Sequence, residues 1–224
     1  MYQHSWDVSV PEATRIQNEL RKEIHLAPLP KKPKTIAGAD ISYNRFSDDF
    51  FACVTVLSLP GLEEIETVYA TGVATFPYVP GYLSFREIPT LLKAFEKLKT
   101  KPDVIMADGQ GIAHPRRMGI AAHLGLLLDL PTFGCGKSLL YGKASAPGLH
   151  RGSTSVLTDP KNGEEIGALV RTKDRVAPVI VSPGHKITLE ESVALSLATA
   201  RGYRIPEPTR RAHDLVNRFR RGEL

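Results

Sequence analysis

Cysteine is scarce: Cys53 and Cys135 are the two in 224 residues. Their wide separation fits neither a disulfide framework nor the close spacing of zinc ligands, so reduced thiols in a cytosolic protein are expected. Long apolar runs are missing as well. The most hydrophobic stretch, 119–136, is interrupted by His123, Asp129 and Pro131, and the opening MYQHSWDVSVPEATR lacks the basic-then-apolar order of a secretion signal. Neither membrane insertion nor secretion is expected, and the chain has no internal repeat or low-complexity tract.

What is present is enough for a sizeable core. Hydrophobic residues make up 42% of the chain, consistent with one domain spanning 1–224, two small domains being the lesser alternative. Lys and Arg number 29 against 24 Asp and Glu, a net charge of +5 with a pI near 9.2. That balance suits a polyanionic partner without requiring one.

Periodicity gives the organisation. After Pro11, EATRIQNELRKEIHL places Ile16, Leu20, Ile24 and Leu26 near helical spacing, with charges on the other faces, and predicts an amphipathic helix. A stiff PLPKKPK connector leads to three strand-like runs at 35–43, 51–59 and 65–76, joined by turns short enough for antiparallel hairpins. Helix and strand then alternate: a helix over 84–99, a strand ending at Asp108, a helix over 119–129 and a strand over 131–135. Strands at 152–158, 164–172 and 176–182 follow, then helices at 188–200 and 208–221. Antiparallel strands followed by this alternation indicate a mixed-sheet α/β domain.

Two strands deliver carboxylates. In DVIMADGQGIAHPRR (103–117), Val104 to Ala107 suit a strand buried on both faces that ends in Asp108, and Gly109 and Gly111 let backbone approach a ligand. Asp40 lies in KTIAGADISYN, where an acid is costly unless paired or bound to a cation; alone, it also fits a solvent-facing position of an alternating strand. Glu87 opens the helix after FPYVPGYLSFRE, where it either faces the same cleft or complements the helix dipole. Three carboxylates with few histidines near them favour Mg²⁺, or Mn²⁺ as a substitute, over Zn²⁺.

Other candidates surround them. The loop FPYVPGY (76–82) sets two tyrosines and a phenylalanine among two prolines and a glycine, so a rigid, exposed loop is expected, whose aromatics either stack on bases or pack onto the domain. GCGKS (134–138) is not a Walker loop, because Pro131 stands where the first glycine belongs, yet Lys137 directly after a core strand is placed to meet a phosphate. GQG at 109–111 fails the dinucleotide fingerprint, with His114 in the third glycine's place. His114 is a candidate for the binding pocket or an organiser of its turn. His213 lies in PEPTRRAHDLVNRFRR, whose arginines 210, 211, 218, 220 and 221 either face solvent or follow a nucleic-acid backbone.

Taken together, PYVPGYLSFRE, DGQGIAHPRRMGIAAHLG and GCGKS, in this order and spacing, closely resemble the bacterial endonuclease V family, deoxyinosine-specific repair nucleases. The resemblance runs from the strand around Asp40 to PEPTRRAH and implies a ribonuclease H-like fold, with helices flanking a central mixed sheet. It implies Asp40 and Asp108 as metal ligands with Glu87 as the accompanying acid, and Lys137 and His213 near the scissile phosphate. Tyr78 matches the wedge that enters the duplex, and Gly81, Leu83, Gly109 and Ile120 the lining of the pocket for a flipped base. Cys135 and Gly136 stand where members often carry other small residues.

The resemblance implies Mg²⁺-dependent hydrolysis of the second phosphodiester bond 3′ to a deaminated base, chiefly deoxyinosine, leaving a 3′-hydroxyl and a 5′-phosphate. DNA containing such bases is the expected partner, for a cytoplasmic monomer with no membrane association. Cleavage of inosine in RNA is the nearest alternative, and a non-catalytic nucleic-acid binding module the alternative of a different class.

Overall fold

The computed structural model describes residues 4–224. Its centre is one eight-stranded sheet built from β1 (Thr35–Tyr43), β2 (Asp49–Ser58), β3 (Glu64–Val73), β4 (Val104–Ala107), β5 (Thr132–Gly136), β6 (Thr154–Thr158), β7 (Glu165–Val170) and β8 (Val179–His185). The strand order is β3-β2-β1-β4-β5-β8-β7-β6. Pairing is parallel between β1 and β4 and between β4 and β5, and antiparallel elsewhere. The mixed sheet expected from the order of apolar runs is therefore present. The short turns after β1 and β2 make hairpins, whereas the parallel neighbours are reached through helices.

Alternation along β1 and β4 divides the core in two. Ala37, Ala39, Ile105 and Ala107 face α2 (Leu83–Phe95) and α3 (Ile120–Leu128), packing with Ile88, Leu91, Leu124 and Leu127. Ile36, Val104 and Met106 face the other way, into a cluster with Phe133, Val170, Val181 and Ile187 that Leu189 and Val193 of α4 (Leu189–Thr199) cover. The helix α5 (Glu207–Arg220) lies on β1 and β2. It approaches closely because residue 38 is glycine: a Cβ there would stand 1.9 Å from the Pro208 carbonyl oxygen.

The first helix is shorter than its periodicity predicts. Helix α1 (Val10–Leu20) opens on a capping box between Ser9 and Glu12 and gives way to a 3₁₀ turn, Arg21–Glu23, leaving Ile24 extended and Leu26 exposed. Tertiary hydrogen bonds override the helical spacing. The His25 amide donates to His185 Nδ1 at 3.3 Å, and the Lys186 amide donates to the His25 carbonyl at 2.6 Å, which ties this stretch to the end of β8. Among the described residues no helix is long and apolar enough to cross a membrane. Cys53 and Cys135 are free and buried, and burial raises both thiols well above their ordinary pKa.

Candidate active site

Sheet register creates the acidic centre. The parallel pairing of β1 with β4 ends at Ala39 opposite Ala107, and the Asp108 amide donates to the Ala39 carbonyl at 3.2 Å. One step further along both chains stand Asp40 and Asp108, on the face that α5 covers. That helix adds His213, so that Asp40, Asp108 and His213 offer ligand atoms within 4.8 Å of one another. Asp40 Oδ1 accepts from the Ile41 amide at 2.8 Å, and its Oδ2 accepts from His213 Nδ1 at 2.7 Å. Lys137, directly after β5, donates from Nζ to Asp108 Oδ2 at 2.5 Å.

The electrostatics follow from this crowding. Burial, then the Asp40 charge, pushes the Asp108 carboxyl above its usual range, with Lys137 pulling against both. Burial, then the charges of Asp40 and Asp108, also push Glu87 above the usual carboxylate range. Its hydrogen bond to Asp40 raises His213. Burial alone would lower Lys137, but the Asp108 carboxylate outweighs it and holds the ammonium above its ordinary value. Carboxylates this close, with cations drawn onto them, form a site that gains from a hard divalent ion. Glu87 stands outside the close triad of Asp40, Asp108 and His213 but lines the same cleft.

That cleft, about 500 Å³ in volume, brings together the acid, lysine, histidine and pocket candidates of the sequence, whereas Gly111 packs against the Pro183 carbonyl outside it. Asp40, Glu87, Asp108, Lys137 and His213 line it together with Tyr78, Gly81, Leu83, Gly109, His114 and Ile120. Gly109 has φ +147°, and a Cβ on it would come within 2.6 Å of Ile120 Cγ2, so this edge of the cleft has no room for a side chain. His114 is buried and neutral, its pKa lowered to about 4 by burial and then by the Arg116 charge. Its ring accepts from the Arg116 amide at Nδ1, at 3.1 Å, which leaves Nε2–H to donate to the Gly81 carbonyl at 3.0 Å. His114 therefore lines the cleft and organises its turn through these hydrogen bonds.

The aromatic loop differs from the expectation of general exposure. Phe76 and Tyr82 are buried in a small cluster with Phe85, because the loop folds back onto α1 and α2. Tyr78 alone of the three projects, at 70% exposure. The basic helix is also more engaged than a solvated face. Arg210 and Arg211 both pair with Glu207 at 2.8 Å, Arg218 and Arg221 pair with Glu223, and Arg220 donates to Ser42 Oγ at 2.9 Å and also to Asn44.

Gln110 was not among the candidates read from the sequence. It is buried in the cleft lining, its Nε2 donates to the Ser138 carbonyl at 3.0 Å, and its Oε1 is enclosed without a hydrogen-bond partner. Arg204 donates to the Lys137 carbonyl at 2.6 Å, so the backbone around Lys137 is held from two sides. Gln110 had a signal, a polar residue between two glycines after a core strand; Arg204 had none.

Comparison with known proteins agrees with this geometry. The family model described as Endonuclease V matches residues 18–214. Endonuclease V of Myxococcus xanthus is 48% identical over 219 residues, 97% of this chain and 92% of that protein. Endonuclease V of Gloeobacter violaceus is 44% identical over 220 residues, 97% of this chain and 89% of that protein. The crystal structure of the enzyme from Streptomyces avermitilis aligns with a TM-score of 0.91 at 40% identity, covering 98% of this chain and 96% of that one. Ciona intestinalis Endonuclease V, solved in complex with a 24mer DNA containing an inosine followed by a ribo-adenosine, aligns with a TM-score of 0.83 at 26% identity, covering 96% and 99%. The eight-stranded mixed sheet with its flanking helices is the ribonuclease H-like fold of these structures.

Proposed function

Because this chain belongs to the endonuclease V family, we propose that it is a Mg²⁺-dependent endonuclease that recognises deaminated bases in DNA, chiefly deoxyinosine. It hydrolyses the second phosphodiester bond 3′ to the lesion and leaves a 3′-hydroxyl and a 5′-phosphate. The observation that carries the reading is the adjacency of Asp40 and Asp108, with Lys137 and His213 on their oxygens, inside a cleft whose other edge is glycine. A relative solved with inosine-containing DNA supports the choice of substrate.

Asp40 and Asp108 would hold the ion, with Glu87 completing the negative charge of the site; oxygen donors from carboxylates suit Mg²⁺ and its substitute Mn²⁺. When bound, such an ion supplies Lewis-acid stabilisation of the phosphate and activation of water. Lys137, aimed at Asp108, brings a fixed positive charge toward the oxygens on which negative charge develops. His213, oriented through its Nδ1–H by Asp40, keeps its other ring nitrogen on the side of α5, where Asn217 Nδ2 lies 3.2 Å away.

On the recognition side, Tyr78 stands on a loop stiffened by Pro77 and Pro80, suited to enter the gap a flipped base leaves. Gly81 and Gly109 bring no side chain to the cleft wall, so a purine can come close to the backbone there, and Leu83 and Ile120 supply apolar surface. The test is cleavage of matched oligonucleotides, one carrying deoxyinosine in DNA and one inosine in RNA, with Mg²⁺ present. Cutting of the DNA strand at the second 3′ linkage supports the reading. Preferential cutting of RNA makes the chain an endoribonuclease, and binding without cutting of either makes it a non-catalytic module.

A further inference from the structure

One carbonyl group beside the cleft receives three side-chain donors. The Gly81 oxygen accepts from Arg116 Nη2 at 2.8 Å, His114 Nε2 at 3.0 Å and Gln17 Nε2 at 3.1 Å. The donors are themselves connected: Arg116 Nε donates to Gln17 Oε1, and Gln17 Nε2 also reaches the Met118 carbonyl at 3.5 Å. The Arg116 guanidinium lies 4.2 Å from the centre of the Tyr82 ring, whose hydroxyl is 2.7 Å from Thr14 Oγ1 of α1. Gln17 is wholly buried, although its helix reads as an ordinary amphipathic one with its polar positions turned to solvent.

A carbonyl needs one or two donors to be satisfied, and a third is more than burial demands. The arrangement instead joins two walls of the cleft, the loop 78–83 and the turn 109–120, to a helix that touches neither the acids nor the cleft itself. Gly81 is the loop's most permissive residue, with φ +82°, and a Cβ on it would stand 2.9 Å from Arg116 Nη2. Where backbone freedom is greatest, immobilising the peptide removes most of the entropy that ligand binding would otherwise have to remove.

We propose that Gln17 and Arg116 are positioning residues for base discrimination, which with His114 clamp the Gly81 carbonyl and hold the recognition loop in register with the turn that carries Gly109. This inference rests on the base-recognition reading above. Neither residue lines the cleft; both act through Gly81.

Gln17→Met and Arg116→Met remove the donors at similar side-chain length, and Gln17→Glu keeps an acceptor for Arg116 while losing the donor to Gly81. The measurement is kcat and KM on a duplex with deoxyinosine and on the same duplex with deoxyguanosine at that site. For each variant the ratio of kcat/KM values is expected to fall by about tenfold or more, through a higher KM on the deoxyinosine duplex with kcat changed less than about threefold. Arg116 is only half-buried, so its variant carries the test if a change at Gln17 prevents folding. An unchanged ratio in Arg116→Met, or a loss of kcat with discrimination intact, overturns the clamp. If the unsubstituted protein cuts neither duplex, the nuclease reading itself fails and the clamp falls with it.

Discussion

Lys137 Nζ lies 2.5 Å from Asp108 Oδ2, so the ammonium occupies a carboxylate oxygen that a divalent ion would seek. On the proposed metal-binding reading, the lysine and the ion would compete for Asp108 as well as cooperate across the cleft. Lys137→Met is expected to lower the Mg²⁺ concentration needed for half-maximal activity and to cut the maximal rate by about a hundredfold. A magnesium titration of cleavage rate checks both, and a higher magnesium requirement contradicts the competition.

Asp108→Ala removes one of two adjacent acids without touching the loop that carries Tyr78. Cleavage is expected to fall by about a thousandfold or more, while lesion binding, followed by gel mobility shift, stays within a fewfold of the unsubstituted protein. Unchanged cleavage would remove Asp108 from the chemistry.

Tyr78 is the exposed aromatic of its loop, and its neighbours Phe76 and Tyr82 hold the fold. Tyr78→Ala is therefore expected to leave the melting temperature within about a degree, since exposed side chains contribute little to stability. It should lower the preference for lesion over undamaged duplex by about tenfold or more. Equal binding preference in competition assays would reduce the loop to packing.

His114 ties stability to pH. Its pKa is lowered to about 4 in the folded chain from an ordinary 6.5, because it is buried and beside Arg116. A histidine depressed on folding stabilises while neutral, so its contribution is complete above about pH 6.5 and is lost as pH falls toward 4, on the order of 3 kcal/mol. His123, buried with its pKa also lowered, adds to the same slope. The melting temperature is expected to decline across this window, and His114→Gln to flatten the decline. Thermal denaturation at stepped pH measures it.

Much of the site was legible because its acids interrupt apolar strands. Asp40 and Asp108 stand out in runs that otherwise contain valine, isoleucine and alanine, and parallel register then makes them neighbours. His213 was legible as a candidate by resemblance, but its hydrogen bond to Asp40 spans 173 positions and depends on how α5 packs across β1, which periodicity does not encode. Gln17 was hidden for a related reason. A helix's own pattern marks its polar residues as outward, whereas Gly81 and Arg116 draw this one inward. Packing of Phe76 and Tyr82 was one of two readings the sequence left open, because proline and glycine mark a stiff turn without indicating which side of it meets the core.

The gap at residue 38 governs reach. Because the Pro208 carbonyl settles where a methyl group would otherwise stand, two residues before Asp40, the terminal helix comes down far enough for its histidine to touch that acid. The approach of His213 to Asp40 is thereby dimensioned from behind, by an omission rather than a contact. Anyone transplanting the acid pair onto another sheet must carry the missing methyl along with the carboxylates.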